Sequence, residues 1–387
     1  MKRFKKKICF ITSTRADYGL IKDLIKKFKN NKSFETKIIA CGTHFSNKFG
    51  NTVNEIHKDS LKIDLSIKIK ILNDSAFETS NFFAKLSLQL NKGFKKFKPD
   101  LLIILGDRFE MLAASSIATI NNIPICHLHG GEKTEGAIDD SIRHAITKLS
   151  SIHFVSHKKY RDRIIQMGEN PNKVHYVGSL GLNSRKQNQY LDKKQIVKSL
   201  NIKIRDRNFI VTYHPVTLIR NTIKDVKEII GALNHFKKFT FLVTSPNMDT
   251  DHNKIITRIK KFSKKNNNIY FQKSLGKKNY FSLLKVFDGV IGNSSSGIIE
   301  VSSFKKGTIN IGERQKGRIQ PKSVINCKPK KNDIVAAIKK LTSNSFQKKL
   351  SVIKNPYYKK GTENKIFNTI KGINLKKLKN KTFFDYN

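Results

Sequence analysis

The stretch "DLLIILGDRFEMLAASSIATINNIPICHLHGG", from Asp100 to Gly131, decides the fold class of this chain. Its two apolar runs, 101–105 and 123–128, flank a segment of helical length at Glu110–Asn121. Runs that are apolar throughout are typical of parallel strands whose two faces are both covered. The stretch therefore predicts a strand, a helix and a second, parallel strand, which is the repeating unit of a doubly wound sheet.

The same alternation continues on both sides of this stretch. Further helices are predicted at Leu20–Asn30, Phe77–Phe97 and Ile223–Phe236. The other strand-like runs are "KICFIT", "TKIIACG", "IHFVS" and "VHYVGS" in the first half, and "FIVTYHP", "FTFLVTSP", "IYFQKS", "GVIGNSSS" and "TINIG" in the second. Two such series predict an α/β protein with two doubly wound, Rossmann-like domains that face each other across a cleft.

A polar stretch near residue 185 separates the two series and sets the predicted domain bounds. The first domain is expected at residues 1–184 and the second at 185–362. Residues 363–387 are expected to form one final helix and a loose basic tail. In open α/β sheets ligands bind at the carboxyl ends of the strands, so residues that follow strands are the candidates for a site.

Composition places the protein among globular, cytoplasmic chains. Of the 387 residues 38% are hydrophobic and 9% are aromatic, and no apolar run is long enough to span a bilayer. The apolar stretch near the start, Ile8–Ile11, is too short for a signal peptide and is interpreted as the first strand. The four cysteines have no CxxC spacing, which favours buried thiols over a zinc site or disulfides.

The formal net charge of +47 raises the alternative of a nucleic-acid or polyanion binding protein. The excess is nearly all Lys, in short scattered runs such as Lys95–Lys96 and Lys264–Lys265. Arg, which makes forked contacts with phosphates and guanines, is sparse, and no zinc-finger or RNP-type pattern occurs. We therefore expect no specific nucleic-acid partner, and keep polyanion binding as the alternative of a different class.

Two loops of the first half carry candidate polar residues directly after strands. In "TSTRADYG", a small polar loop before a helix, Arg15 would bind phosphate; alternatively the segment is only a strand–helix loop with Asp17 as the N-cap. In "LGDRFEM", Asp107 and Arg108 follow the strand 101–105. Asp107 either caps the following helix or serves as a carboxylate of the site, and the two roles are compatible.

The segment His127–Ile146, "HLHGGEKTEGAIDDSIRHAI", adds more titratable groups at the neighbouring strand end. Histidine and carboxylates at adjacent strand ends are what proton transfer to and from carbon requires. Their spacing matches no usual metal site, so no metal is predicted. The candidates in this segment are His129, Glu132, Asp139 and Asp140, with Arg143 and His144 one helical turn further on.

The second half supplies the features of a nucleotide-diphosphate site. The small, hydroxyl-rich loop Gly292–Ser296 leads into a helix, and such loops bind phosphate through backbone N–H groups. Glu300, about one turn into that helix, could accept hydrogen bonds from a ribose diol. His214 follows a strand in "TYHPVT", and Arg314 follows another in "IGERQKGR".

These motifs, in this order, resemble those of the hydrolysing UDP-N-acetylglucosamine 2-epimerases of sialic acid and related nonulosonate biosynthesis. The resemblance covers roughly residues 6–320 and rests on "TRADYG", "GTHFSNKFGNTVNEI", "GDRFE", "HGGE…GAIDDSIRHAITKLS", "HPVT", "GNSSSG" with Glu300, and "ERQKGR". It implies a fold of the glycosyltransferase-B type with UDP in the cleft, no cofactor, and a homo-oligomer (dimer or tetramer).

The resemblance also implies a role for each candidate residue. UDP would be bound by Arg15, Ser294, Ser295, Glu300 and Arg314. Acid-base groups around the sugar would be Asp107, His129, Glu132, Asp139 and His214, with Asp17, Arg108, Asp140, Arg143 and His144 as weaker contacts to sugar or phosphate. Some relatives carry Glu where His129 stands, so either Glu132 or His129 serves as that acid-base partner.

The implied reaction removes the proton on carbon 2 while UDP leaves carbon 1, which gives a 1,2-unsaturated sugar. Water then adds with inversion at carbon 2 and releases the free 2-epimer. The expected substrate is UDP-N-acetylglucosamine, with N-acetylmannosamine as product. The alternative is UDP-N,N'-diacetylbacillosamine, which feeds legionaminic acid. A glycosyltransferase of the same fold is a more distant alternative.

Overall fold

The computed structural model describes residues 5–46, 50–70, 75–135, 138–183, 190–215, 222–246 and 252–385. Each of its two compact units contains one parallel sheet with flanking helices, which confirms the predicted doubly wound α/β class. The first unit comprises Met1–Glu132, Asp139–Ser184 and Tyr357–Asn387, and the second comprises Lys133–Ile138 and Arg185–Pro356.

The sheet of the first unit has seven strands in the order β3-β2-β1-β4-β5-β6-β7, and all its pairings are parallel. The direction of winding reverses between β1 and β4, and this switch point is where such sheets bind ligands. The strands are β1 Lys6–Thr12, β2 Phe34–Ala40, β3 Leu65–Ser66, β4 Leu101–Leu105, β5 Ile125–Leu128, β6 Ile152–Val155 and β7 Val174–Tyr176.

Two apolar cores cover this sheet, one on each face. Successive residues of β1 alternate between them, because side chains along a strand point to opposite faces. Ile8 and Phe10 join one core, whereas Cys9 and Ile11 join the other. The helices of this unit are α1 Arg15–Lys29, α2 Val53–Lys58, α3 Ala76–Phe97, α4 Phe109–Ile120, α5 Asp139–Leu149, α6 Lys158–Gln166 and, at the far end of the chain, α14 Thr362–Gly372.

Two helix starts differ from the sequence-based expectations. The first helix begins at Arg15 rather than Leu20, because Thr14 is the N-cap and forms a capping box with Asp17. Asp17 is therefore the third helical residue and not the cap. The N-cap of α4 is Arg108, so of the two compatible roles predicted for Asp107, that of a helix cap was wrong.

The second unit repeats the architecture with six parallel strands in the order β10-β9-β8-β11-β12-β13. Its switch point lies between β8 and β11. The strands are β8 Arg207–Thr212, β9 Phe239–Thr244, β10 Ile269–Gln272, β11 Gly289–Gly292, β12 Gly307–Ile311 and β13 Val324–Cys327. The helices are α7 Lys193–Leu200, α8 Thr222–Asn234, α9 His252–Lys264, α10 Gly276–Val286, α11 Ser295–Ile299, α12 Lys331–Thr342 and α13 Asn344–Ser351.

The C-terminal segment packs against the first unit. For residues 363–387 the sequence predicted one final helix and a loose basic tail, and the helix is present as α14 Thr362–Gly372. Phe367 of α14 stacks edge-to-face on Phe28, with ring centroids 5.0 Å apart. Further along, the Lys381 ammonium donates to the buried carboxylate of Glu169 at 2.8 Å and to the Ser150 carbonyl at 2.7 Å. These contacts hold the described part of the tail in place, and the expectation of a loose tail was wrong.

All four cysteines are free thiols, and Cys9, Cys41 and Cys126 are buried as expected, whereas Cys327 is half-buried. Among the described helices, none combines the length and apolar character required to cross a membrane.

Candidate active site

A buried arginine organises the edge of the first sheet where β4 and β5 end. Arg143, on α5, is only 1% exposed. Its guanidinium donates to the carboxylate of Asp107, to Asp140 Oδ1 at 3.0 Å and to the Glu132 carbonyl at 3.0 Å. Three of the predicted site residues are thus brought together by a fourth, which the sequence had placed among the weaker contacts.

In this cluster the Arg143 guanidinium faces two carboxylates, those of Asp107 and Asp140. Burial lowers the pKa of Arg143, but the neighbouring carboxylates, first of all Asp107, raise it above its ordinary value. The guanidinium therefore stays charged and fixes the orientation of Asp107. The Asp107 side chain is 24% exposed while that of Glu132 is only 3% exposed. Asp107 is therefore the carboxylate of this pair that a bound substrate can reach most directly.

His129 and Glu132 form a second group at the same edge. The His129 Nε2 accepts a hydrogen bond from the Leu180 N–H at 3.1 Å, which assigns the ring proton to Nδ1. That Nδ1 lies 3.5 Å from Glu132 Oε1, which also accepts a hydrogen bond from the Ser156 hydroxyl at 2.9 Å. While the Leu180 bond is kept, Nε2 cannot take a proton from a substrate. Of the two residues predicted as the acid-base partner, the geometry therefore favours Glu132 as the group that transfers the proton. His129 orients the Glu132 carboxylate.

Tight turns place this group against the strand ends. Gly131 has φ +73°, and a Cβ there would lie 2.5 Å from the Tyr160 carbonyl, so only glycine fits. The neighbouring His127 is buried and lies 2.8 Å, through Nε2, from the Gly106 carbonyl, directly before Asp107. Burial lowers the pKa of His127 to about 3, so it is a neutral donor that ties β5 to the end of β4.

At the end of β1 the predicted residues make local contacts. The Asp17 carboxylate accepts hydrogen bonds from the hydroxyls of Thr12, Ser13 and Thr14 and from two of their backbone N–H groups, which supports a structural role. Arg15 pairs with Glu55 at 2.7 Å and is only partly exposed.

The remaining predicted residues of the first unit lie at the margins of these groups. Arg108 pairs with the buried carboxylate of Glu110 at 3.1 Å. Burial lowers the pKa of His144, whose Nε2 lies 3.5 Å from Asp140. Asp139 is the half-buried first residue of α5.

In the second unit, His214 follows β8 at the switch point. Its backbone is bound on both sides by the side chain of Asn293, which follows β11. The Asn293 carbonyl in turn accepts from Arg314 at 3.2 Å, so the ends of β8, β11 and β12 are joined there. Burial, and then the charge of Arg314, lower the pKa of His214 well below its usual value, so the imidazole is neutral.

The loop after β11 carries the predicted serines and ends at Glu300. Ser294 is the N-cap of α11 and Ser295 its first residue, while Glu300 follows the short helix directly. The Ser296 hydroxyl lies 2.5 Å from both Glu300 Oε2 and the Tyr280 hydroxyl. Burial raises the pKa of Glu300. This arrangement orients a half-buried carboxylate beside a hydroxyl-rich loop.

The sequence interpretation did not single out three residues of these edges. Ser156 holds Glu132, Asn293 holds His214, and His44 is buried between the Thr12 and Thr52 hydroxyls at 2.9 Å each. Each lies within four residues of the end of a strand. That position is the feature by which the sequence could have identified them. Within the described ranges, no three His, Cys, Asp or Glu side chains gather as metal ligands would.

Titratable and hydroxyl-bearing groups follow the strands of both sheets, and the chain has the two-unit α/β fold of the glycosyltransferase-B type. A sequence profile described as UDP-N-acetylglucosamine 2-epimerase matches residues 26–371. The chain belongs to that family, so the family and the enzyme class predicted from the motifs, a hydrolysing UDP-sugar 2-epimerase, are confirmed.

Two relatives are similar over almost their full length. The chain is 39% identical, over 98% of its residues and 99% of the relative, to "GDP/UDP-N,N'-diacetylbacillosamine 2-epimerase (hydrolyzing)" from Campylobacter jejuni. It is 35% identical, over 98% of its residues and 97% of the relative, to "Polysialic acid biosynthesis protein P7" from Escherichia coli.

A solved structure shares the fold. The UDP-GlcNAc 2-epimerase from Neisseria meningitidis, bound to UDP-GlcNAc, is similar with a TM-score of 0.79 at 17% identity. The similarity covers 94% of this chain and 99% of that protein, and it confirms the predicted glycosyltransferase-B type of fold.

Proposed function

We propose that this enzyme hydrolyses UDP-N,N'-diacetylbacillosamine to UDP and the free 2-epimer of the sugar, for legionaminic acid synthesis. The observation that carries this proposal is the 39% identity, over nearly the whole of both chains, to the relative named for that sugar. The sequence interpretation had placed UDP-N-acetylglucosamine first and this substrate second. The relatives favour the second.

UDP-N-acetylglucosamine remains the second candidate substrate, with N-acetylmannosamine as product. It is supported by the 35% identity to the Escherichia coli protein named for polysialic acid biosynthesis. The two sugars differ at carbons 4 and 6, away from the reacting bond, so the same acid-base groups serve either.

In the proposed mechanism the first unit supplies the acid-base chemistry. A carboxylate removes the proton on carbon 2 as UDP leaves carbon 1, and water then adds to the double bond with a proton returned to carbon 2. We assign direct proton transfer with the substrate to Asp107, because it is the more exposed carboxylate and is oriented by Arg143. Glu132, held by Ser156 and His129, is the second carboxylate, and Asp139 lies in the same segment.

The second unit is assigned to the nucleotide. Ser294, Ser295 and Arg314 would bind the diphosphate, and Arg15 of the first unit would add a guanidinium to stabilise the leaving charge. Glu300 would accept hydrogen bonds from the ribose. We further propose, as the sequence predicted, that the enzyme is a cytoplasmic homo-oligomer, requires no metal or cofactor and has no specific nucleic-acid partner.

The substrate is tested by comparing kcat/KM for the UDP-linked forms of both sugars. We expect the diacetylated sugar to be preferred by at least about tenfold, because a site built to hydrogen-bond a second acetamido group loses those bonds with the other sugar. The GDP-linked diacetylated sugar belongs in the same assay, because the Campylobacter relative is named for both nucleotides.

The same assay in deuterium oxide tests the chemistry. We expect one deuterium at carbon 2 of the product, because the elimination removes the original hydrogen and the hydration returns one from solvent. A product without deuterium at carbon 2 would exclude this route. A clear preference for UDP-N-acetylglucosamine would keep the mechanism and change only the substrate.

Replacing Glu300 by Gln is expected to weaken UDP binding by about tenfold to a hundredfold, because a hydrogen bond to a charged group contributes about 1.5–3 kcal/mol. The dissociation constant for UDP is measured by calorimetry, and kcat should change far less than KM. Since burial raises the pKa of Glu300, UDP affinity should also fall as the pH drops through that raised pKa.

Glu228→Gln is the matched control in the same unit. Glu228 is also a carboxylate that accepts a hydrogen bond, from the Lys331 N–H at 2.8 Å, and it lies on α8. This variant should bind UDP as the wild type does. Equal UDP affinity in the Glu300 and Glu228 variants would remove Glu300 from the nucleotide site.

A further inference from the structure

We propose that Asn293 is a positioning residue that fixes the backbone of His214, and thereby its imidazole, at the switch point of the second sheet. The Asn293 side chain is completely buried. Its Oδ1 accepts a hydrogen bond from the His214 N–H at 2.7 Å, and its Nδ2 donates to the His214 carbonyl at 2.9 Å. Both backbone groups of one residue are thus bound by one side chain, an arrangement called the His214 bracket below.

The bracket depends on the chemistry of asparagine. One short amide presents a donor and an acceptor side by side, which matches the acceptor and donor of a single backbone residue. Aspartate offers only acceptors, so it would face the His214 carbonyl without a proton between the oxygens. Glutamine is one methylene longer and would need the chain to move. Because the bracket is buried, leaving the His214 backbone groups unpaired is costly.

The backbone atoms of Asn293 make different contacts. Its N–H donates to the Thr212 carbonyl at 3.1 Å, and its carbonyl accepts from Arg314 at 3.2 Å and from Gln315 at 2.8 Å. A substitution of the side chain therefore removes the His214 bracket and leaves the links to β8 and to the Arg314 loop. The effect on His214 can be separated from the effect on the nucleotide loop.

The chain contains the same bracket a second time, at the opposite end of β8. Asn208 is 4% exposed. Its Oδ1 accepts from the Arg205 N–H at 2.9 Å and its Nδ2 donates to the Arg205 carbonyl at 2.9 Å. The two brackets have the same chemistry and similar burial, but only the first lies at the carboxyl edge of the sheet. Asn208 is therefore an internal control for the structural cost of losing one.

The consequence for the reaction rests on the proposed function, in which His214 acts beside the sugar and the loop after β11 binds the diphosphate. Asn293 then acts through His214, so its loss should lower kcat and leave UDP affinity almost unchanged. If the bracket were only structural, its loss would lower the stability of the protein but would not lower kcat selectively while KM and UDP affinity stay unchanged.

The experiment compares five proteins: the wild type, Asn293→Ala, Asn208→Ala, His214→Ala and the double variant of Asn293 and His214. For each, the melting temperature, kcat, KM and the inhibition constant of UDP are measured with the preferred UDP-sugar. Hydrogen exchange at the His214 amide, followed by mass spectrometry, reports on the bracket without depending on activity.

We expect both Asn variants to lose similar thermal stability, while only Asn293→Ala lowers kcat, by about tenfold to a hundredfold, because small displacements of a reacting group have large kinetic effects. The inhibition constant of UDP should stay within about threefold, since the backbone contacts remain. In the His214→Ala background, the second substitution should lower kcat no further, because residues that act as a unit are not additive.

Equal kcat in the two Asn variants, or a further loss of kcat in the double variant, would overturn the proposal. If Asn293→Ala does not fold, Asn293→Ser, which keeps a small polar side chain but cannot pair with both His214 backbone groups, is measured in its place. A wild type that releases UDP from no UDP-sugar would contradict the proposed function, whereas faster amide exchange at His214 in the variant would still demonstrate the bracket itself.

Discussion

Asp107→Asn is expected to lower kcat by about a hundredfold to ten-thousandfold, the range in which a lost general acid or base usually falls. The amide keeps the shape of the side chain and an oxygen that can accept from Arg143, so the cluster at the edge of β4 should stay intact. The variant loses the negative charge of Asp107 and with it the ability to take a proton. The dissociation constant for UDP should stay near that of the wild type, because the nucleotide is assigned to the second unit.

Asp59→Asn is the matched control for this substitution. Asp59 lies in the same unit, its side chain is 18% exposed, and it pairs with Lys22 and Lys26 as Asp107 pairs with Arg143. Losing that ion pair should change stability slightly and leave kcat unchanged, since partly exposed pairs contribute little. Folded Asp107→Asn protein with near-normal turnover would mean that the proton transfer takes place elsewhere.

The sequence was most informative where the physical pattern is local. Fully apolar runs such as 101–105 predict buried parallel strands, since few other elements are uniformly apolar over five residues. The four helices at α1, α3, α4 and α8 were predicted to within a few residues, and the largest error was the start of α1. The helix begins five residues earlier than predicted because Thr14 is its N-cap and forms a capping box with Asp17.

The rule that residues following neighbouring parallel strands meet at one edge of the sheet predicted that Asp107, Glu132 and Asp140 lie close together, and all three contact Arg143. It could not assign the role of His129. That role depends on the Leu180 N–H, which lies 51 residues further along the chain and reaches the ring only in the folded unit. A side chain that binds a distant backbone group leaves no pattern in the sequence around it.

Contacts with distant residues also explain why the sequence did not predict the position of the C-terminal segment. Its many lysines were interpreted as a loose tail, since runs of like charge are usually solvated. Lys381 is instead bound to Glu169, a carboxylate that is 3% exposed and also accepts from His153 and Lys148. This buried acceptor of opposite charge binds the segment together with the packing of Phe367 on Phe28, and its position depends on the folded sheet.

The pair His129 and Glu132 leads to the second large effect. Glu132→Gln is expected to lower kcat by about a hundredfold or more, because it removes a buried carboxylate assigned to proton transfer. His129→Asn should lower kcat by only about tenfold, because His129 orients Glu132 and does not exchange a proton with the substrate. Asn is the replacement of choice, since His129 has φ +65° and Asn tolerates that conformation better than most residues.

Glu169→Gln is the control that separates chemistry from the loss of a buried carboxylate. Glu169 is also a nearly buried carboxylate of the first unit bound to a histidine, with His153 Nε2 at 3.1 Å. Its neutralisation should lower the melting temperature, because Lys148 and Lys381 lose their partner, and leave kcat of the folded protein nearly unchanged. The losses of kcat decide the roles of the first pair: the loss in Glu132→Gln should exceed the loss in His129→Asn. A larger loss in His129→Asn than in Glu132→Gln would make the imidazole the proton carrier and would require the Leu180 bond to break during the reaction.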